Sequence, residues 1–455
     1  MADGTESPEY DPTISVGSAT VPVTTDVDEL SKIAAKIRQA RPPRPCVYLT
    51  VQDGTLLEAM EINVIEQEKR TTQTSMGLKD VYTVYLVETR TKDGANKALG
   101  QESTSLWRRY SEFELLRNYL LVTYSHVVIP PLPEKRATIM WQQLSTVDNF
   151  DSEFIERRRT GLEGFLRRVA NHHKLCQDKI FHGFLQDENG WKPSVNATGF
   201  QAKQDSRLKS LNAAFRLKKP DKRFEDLKNY CTNLQSNITA LLKLRAKLAD
   251  RLYGIHKIHG NYGRVFSEWS GIEHEMGDGL QSAGHYMDSY KDYIDDFMAE
   301  EELIADQLKE YACFADAVRS VCSKQEMLQY EVEKAEELLA SKTQLRDQLQ
   351  GTAPTKTFSW RGLSSKVFGP ETEQVKETKL RQVKDQIQEA EENVTRTQKE
   401  AEEFVEEALK EIDAFKKTKT ADLKEIFINF SVLQIKIAKR GITTWTNTKE
   451  CFEKM

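Results

Sequence analysis

From residue 221 almost to its end, the chain repeats apolar residues every three or four positions. Phe224, Leu227, Cys231, Leu234, Ile238 and Leu241 lead on to Leu248, Leu252, Ile255, Tyr262, Phe266 and Trp269. A second stripe runs from Leu280 to Cys322 and a third from Leu380 to Ala408. Spacing of this kind, held over so many turns, means helices that supercoil around partners. Helices of about 50 to 75 residues at 1.5 Å per residue make rods of roughly 75–110 Å, longer than a globular core needs. Glycines in GIEHEMGDG (271–279) and the Gly/Pro/Ser-rich run 351–371 mark two breaks. Three helices with two breaks imply an all-α, elongated, antiparallel three-helix bundle. The stripes are wide for so thin a unit, so a second bundle is expected to cover what remains, giving a dimer.

The few polar interruptions are informative. If the first two helices fold back near residue 275, facing positions sum to about 550. Arg245 and Glu301 nearly satisfy that sum, so they are expected to pair across the helices, buried or half-buried. His259, in the same stripe, reads as a satisfied core histidine.

Residues 58–190 have another texture. AMEINVIEQ, DVYTVYLVET and TSLWRRY alternate and carry β-branched or aromatic residues, so they read as three strands. Helical patterns follow at 111–124, 151–172 and 176–187, and the prolines of VVIPPLPEKR impose an extended segment between them. A small α+β domain with a three-stranded antiparallel sheet is expected. Residues 1–57 are rich in Ser, Thr, Asp and Pro and read as disordered. Residues 191–220 read as a linker. Within it, 205–219 forms an amphipathic pattern with Leu208, Leu211 and Phe215 on one face, and seven Lys/Arg stand against one acid from 207 to 223. That pattern suits either an interfacial helix on an anionic leaflet or a helix packed on the bundle.

The junction SLWRRYSEF puts Arg108 and Arg109 between Trp107 and Tyr110, in a chain of formal net charge −5. A guanidinium fork grips phosphate oxygens, and an aromatic can wall a ring. Lys135 and Arg158, in the same small domain, are the further cations such an anion site wants. SLWRRYSEF, VVIPPLPEKR and FIERRRTGLEGFLRRVANH together resemble a phox-homology (PX) domain. The chain as a whole resembles a sorting nexin of the PX–BAR type over roughly residues 58–455. DKRFEDLKNY, RLYGIHKIHGNYGRVFSEWS, MGDGLQSAGHYMD and WTNTKECFEKM resemble one branch of that family.

The resemblance implies a BAR dimerisation and curvature domain at 221–455 and a phosphatidylinositol 3-phosphate site in the PX domain. Arg109 matches the residue that binds the 3-phosphate and Tyr110 the aromatic beneath the ring. Lys135 matches the lysine at the 1-phosphate and Arg158 the arginine on the 4- and 5-hydroxyls. Arg108, Arg136, Arg157 and Arg159 are left as surface or structural residues. LLEAMEINV matches poorly, which leaves the start of the first strand open. The resemblance further implies anionic, curved membrane as a partner, early and recycling endosomes, cargo recycling, an association with autophagy, and a homodimer or a heterodimer with another PX–BAR sorting nexin. Lys243, Lys247, Arg251 and Lys257, with Lys416, Lys417 and Lys419, are candidates for the membrane face, against the alternative that each lies on a solvated face. Phe358, Trp360 and Phe368 in 351–371, beside Lys356, Arg361 and Lys366, read either as apolar wedges that touch the bilayer or as part of a disordered connector.

Other classes are disfavoured. The charge balance argues against nucleic acid. The six cysteines form no CxxC pair and read as reduced thiols in a cytosolic protein. His256 and His259 lack a metal-type third ligand, and neither GxSxG, P-loop nor HExxH occurs. No enzyme, cofactor, secretory leader or spanning helix is expected. A coiled-coil tether or scaffold without lipid recognition is the alternative function, and it would not need the Arg109–Tyr110–Lys135–Arg158 set.

Overall fold

A computed structural model describes residues 49, 51–73, 79–92, 103–135, 152–204, 217–350 and 373–455. Nearly all of 1–57, Leu208, Leu211, Phe215, Arg136 and the 351–371 segment lie outside the described residues. A short helix, α1 (Leu56–Ala59), leads into β1 (Met60–Gln73), β2 (Lys79–Thr91) and β3 (Thr104–Arg109), a three-stranded antiparallel sheet in sequence order. The start of the first strand is thus at Met60, one turn of helix after Thr55. Strand alternation sends Ile62, Val64, Tyr85 and Val87 into the core. Against them pack α2 (Tyr110–Thr123) and α3 (Ser152–Ala170), through Phe113, Leu116, Leu120, Leu162, Phe165 and Leu166.

A β-bulge between Val64 and Glu66 breaks the β1–β2 ladder. The freed backbone is met by α3: Val64 N–H donates to Glu163 at 3.0 Å, and Arg159 donates to the Val64 carbonyl. Arg159 is therefore a structural residue that holds helix to sheet.

The small domain's core reaches beyond 58–190 at both ends. Leu56 and Leu57 are buried in it, and so are Trp191, Val195 and Phe200 from two helices, α5 (Trp191–Ala197) and α6 (Phe200–Gln204). The start of the presumed linker is thus core, because Trp191 packs edge-on to Phe184 in α4 (Lys179–Gln186) at 5.0 Å. These two helices were not anticipated; their signal was the single large aromatic at 191 followed four residues on by Val195.

The remainder is three helices, α7 (Lys222–Ser270), α8 (Gly277–Gln350) and α9 (Glu373–Glu453), of 49, 74 and 81 residues. Asp221 caps α7 by accepting from Arg223 N–H. The core of the bundle draws Phe224, Ile238, Tyr311, Cys322, Ala408 and Ile412 from all three. Arg245 Nε stands 3.3 Å from Glu301, which is 1% exposed, as the hairpin sum expects. His259 is buried and only half satisfied: Nδ1 meets the Ile255 carbonyl at 2.9 Å, while Nε2 has no partner among the described residues.

The outer half of α7 departs from the stripe. Leu248, Ile255, Tyr262 and Trp269 are exposed in the single chain, as are Leu244 and Ile258. On α9, Phe427, Val432, Ile435 and Trp445 are exposed as well. This is the uncovered apolar surface expected of a thin bundle.

Candidate functional site

Arg108 and Arg109 are consecutive on β3, and strand geometry sends them to opposite faces. Arg108 pairs across strands with buried Tyr85, Arg109 with Val84. Arg108 is 1% exposed and donates to the carbonyls of Phe184 (2.7 Å), Asp187 (2.5 Å) and Glu188 (3.1 Å). Burial lowers its pKa, and Glu112, 3.9 Å away, opposes that. It is a structural arginine that ties β3 to the end of α4. Arg109 emerges on the other face, its guanidinium 3.4 Å from the ring centre of Tyr82, two residues along β2 from Val84. Glu112 accepts the Arg109 backbone N–H at 2.6 Å, closing the strand-to-helix turn.

The turn brings Tyr110 to the first position of α2. Its hydroxyl donates to the Pro133 carbonyl at 2.5 Å. That bond ties the helix to the extended segment 127–135, which Arg117 also holds by donating to the Pro130 carbonyl at 2.9 Å. Gly161 on α3 permits close approach of the segment: a Cβ there would stand 2.7 Å from Pro133 Cβ. Lys135 closes the segment, with Nζ 5.8 Å from the Tyr110 ring centre. On the other side Arg158 of α3 lies 5.5 Å from the same ring. Arg158 is fixed by bonds to the carbonyls of Glu134 (3.2 Å) and Lys135 (2.5 Å), by Tyr85 Oη at 3.5 Å, and by the Phe154 ring at 4.5 Å.

Tyr110, Lys135 and Arg158 are therefore brought together around one aromatic ring, and Arg109 adjoins it along the chain. Burial raises the Tyr110 phenol above its ordinary range, and Glu114 adds to that, so it is a neutral donor at physiological pH. Burial likewise raises Tyr85. Within the set, Glu114 holds Lys135 at 2.7 Å. The set suits a polyanion with a ring to stack, and offers nothing resembling a nucleophile with a base. Tyr82, Tyr85, Phe154 and Glu114 were missed by the sequence reading. Glu114 had a signal, since four residues after Tyr110 it shares that helix face.

The remaining candidates fall elsewhere. Arg157 turns away from the ring to Glu302 of α8, 2.8 Å distant. Lys243, Lys247, Arg251 and Lys257 are all exposed on α7; Lys257 lies 4.4 Å over the Tyr253 ring. Lys416 and Lys417 are exposed, whereas Lys419 is half-buried against Tyr230. Among the described residues there is no cluster of potential metal ligands, and no helix is long and apolar enough to cross a membrane.

The fold and the cationic site define a PX domain followed by a BAR-type helical bundle. The PX domain family model matches residues 97–188. The chain belongs to the sorting nexin family: it is 53% identical to sorting nexin-4 of Bos taurus over 425 residues, 93% of this chain and 94% of the relative. Sorting nexin-4 of Homo sapiens is 55% identical over 401 residues, 88% of each chain. In fold, the chain is similar to the cryo-EM structure of the SNX-BAR Mvp1 tetramer, with a TM-score of 0.55 over 85% of this chain and 99% of that one at 16% identity. Sorting nexins of this architecture are non-enzymatic scaffolds of membrane-associated trafficking, and the PX domain implies phosphoinositide binding.

Proposed function

We propose that this chain binds phosphatidylinositol 3-phosphate through Arg109, Tyr110, Lys135 and Arg158, and anionic, curved membrane through its bundle. Arg109 takes the 3-phosphate, Tyr110 stacks under the inositol, Lys135 meets the 1-phosphate and Arg158 the 4- and 5-hydroxyls. The observation that carries this reading is the convergence of Lys135 and Arg158 on the Tyr110 ring from two different elements. Pre-fixed donors lose little freedom on binding, which favours a specific headgroup over loose charge attraction.

Residues 221–455 act as the dimerisation and curvature domain. The exposed apolar faces of α7 and α9 support pairing with a second bundle, its own copy or that of another PX–BAR sorting nexin. Two headgroup sites on one dimer multiply a modest single-site affinity. The chain works on the cytosolic face of early and recycling endosomes, in cargo recycling and autophagy-linked traffic.

Flotation with liposomes containing or lacking phosphatidylinositol 3-phosphate tests the reading. The parent chain is expected to float with the lipid-bearing vesicles, Arg109→Ala to lose the lipid-dependent fraction, and Arg136→Ala to keep most of it. Equal flotation of all three chains would overturn the site.

A further inference from the structure

The two elements that wall the headgroup site also hold the bundle. In the extended segment, Val127 and Ile129 belong to the PX core, while Val128 between them belongs to the bundle core. On α3, Arg158 faces the site. Arg157 and Arg168, eleven residues or about three turns apart, share another face. Arg157 meets Glu302. Arg168 enters the bundle fully: it pairs with Glu310 of α8 at 2.7 Å and with Asp422 of α9 at 3.1 Å. Tyr311 donates to the same Asp422 at 2.5 Å, and the guanidinium lies 5.2 Å from the Phe314 ring. Burial alone would lower the Arg168 pKa, but Glu310 and Asp422 outweigh it and hold it above its ordinary value.

We propose that Arg168 is a positioning residue for membrane recognition, one that locks the headgroup site to the bundle so that both meet the same bilayer as a single rigid body. Its fork is spread across two helices of the bundle at once, which fixes direction as well as distance. Further pairs join the same surfaces: Lys174 on the PX side meets Glu407 and Glu411 at 3.2 and 3.3 Å, and His172 Nε2 lies 2.9 Å from Glu411. A rigid connection raises the effective concentration of the second contact once the first has formed; a loose one forfeits that gain without changing either site. The inference rests on the headgroup and membrane reading above.

The test uses the full chain and three readouts. Spin labels carried by unnatural amino acids at positions 179 and 399, diluted with unlabelled chain, report the PX-to-bundle distance by double electron–electron resonance. Calorimetry with soluble dibutanoyl phosphatidylinositol 3-phosphate reports the headgroup site alone. Co-sedimentation with vesicles containing that lipid reports the combined contact. Arg168→Met is expected to broaden the distance distribution, keep the soluble-headgroup affinity within twofold, and weaken vesicle binding tenfold or more. Should Arg168→Met fail to fold, Lys174→Glu, which opposes Glu407 and Glu411 from a half-exposed position, is expected to act in the same direction by threefold or more. Parent-like distances and vesicle binding in both variants would overturn the proposal, and so would a loss of soluble-headgroup affinity as large as the loss on vesicles. If the parent itself ignores the soluble headgroup, the functional reading fails, and the distance measurement still decides the clasp.

Discussion

Arg245 Nε on α7 lies 3.3 Å from Glu301 Oε2 on α8, and the other Glu301 oxygen has no partner among the described residues. Arg245 also pairs with Glu302, so the guanidinium has a second carboxylate and Glu301 has one cation. Burial raises the Glu301 pKa, and Arg245 only partly offsets it.

The two ends of this pair should therefore respond unequally. Arg245→Ala leaves a buried carboxylate and is expected to cost the bundle about 3–5 kcal/mol. Glu301→Gln removes a poorly solvated charge while Arg245 keeps Glu302, and is expected to stay within about 1 kcal/mol of the parent. Denaturant unfolding followed by helical circular dichroism separates them. Because the folded Glu301 binds its proton more tightly than the unfolded one, its burial cost is relieved as pH falls through its raised folded pKa toward 4.5.

The paired arginines offer a sharper contrast. Arg108→Ala removes a buried guanidinium and the donors it supplies to three carbonyls, that of Phe184 in a buried bond, and is expected to destabilise the PX domain by about 3–5 kcal/mol, and Arg108→Lys should not restore the fork. Arg109→Ala, at a half-buried position whose guanidinium stacks on Tyr82, is expected to cost the fold less than Arg108→Ala while removing headgroup binding. Differential scanning calorimetry on both variants checks the assignment of one arginine to structure and the other to ligand.

Gly161 is expected to be intolerant of a side chain. With a Cβ 2.7 Å from Pro133, Gly161→Ala must displace the segment that carries the Tyr110 hydrogen bond and Lys135. A cost of about 1–3 kcal/mol is expected, together with weaker headgroup binding, measured by thermal unfolding and calorimetry on the same samples.

Acid should loosen the PX–bundle contact in two stages. Burial, with Lys174 beside it, holds His126 below its ordinary 6.5, against the pull of Glu407 and Glu411. The folded chain binds that proton less readily than the unfolded one, so stability falls as pH drops below about 6.5 toward the depressed folded value. Burial alone would raise Glu411, but His172 and Lys174 outweigh it and hold it below 4.5. The stability it supplies is complete above 4.5 and lost as pH falls through its folded pKa. Hydrogen exchange of the 126–135 segment and α3 as a function of pH is expected to show this order.

The exposed stripes carry the dimer expectation. Ile258→Glu with Trp445→Glu puts charge on both uncovered faces. The double variant is expected to shift toward the single-chain mass by light scattering, alone or mixed with a partner sorting nexin, with its helical content retained.

Much of this architecture was legible because its periods are local. The three–four spacing located three long helices, and the hairpin sum brought Arg245 to Glu301 from positions 56 residues apart. Alternation located the strands, and the match at SLWRRYSEF marked Arg109 and Tyr110 as candidates at the strand-to-helix turn where the structure has β3 meet α2. What stayed hidden depends on long-range packing. Nothing near Arg168 announces that Asp422 waits for it, since the two meet only after the PX domain and bundle have docked. Trp191 looked like the start of a linker because a lone aromatic has no period; its partner Phe184 is set by the core. The roles of Tyr85 and Phe154 behind Arg158 likewise come from layering of sheet on helix.

The central claim is that the cationic set around Tyr110 recognises one phosphorylated inositol headgroup. Titrating dibutanoyl phosphatidylinositol 3-phosphate into the full chain by calorimetry tests it most directly. Saturation at one headgroup per chain, with no measurable heat for Arg109→Ala, is the expected result. Equal heats from both chains, or none from the parent, would contradict it.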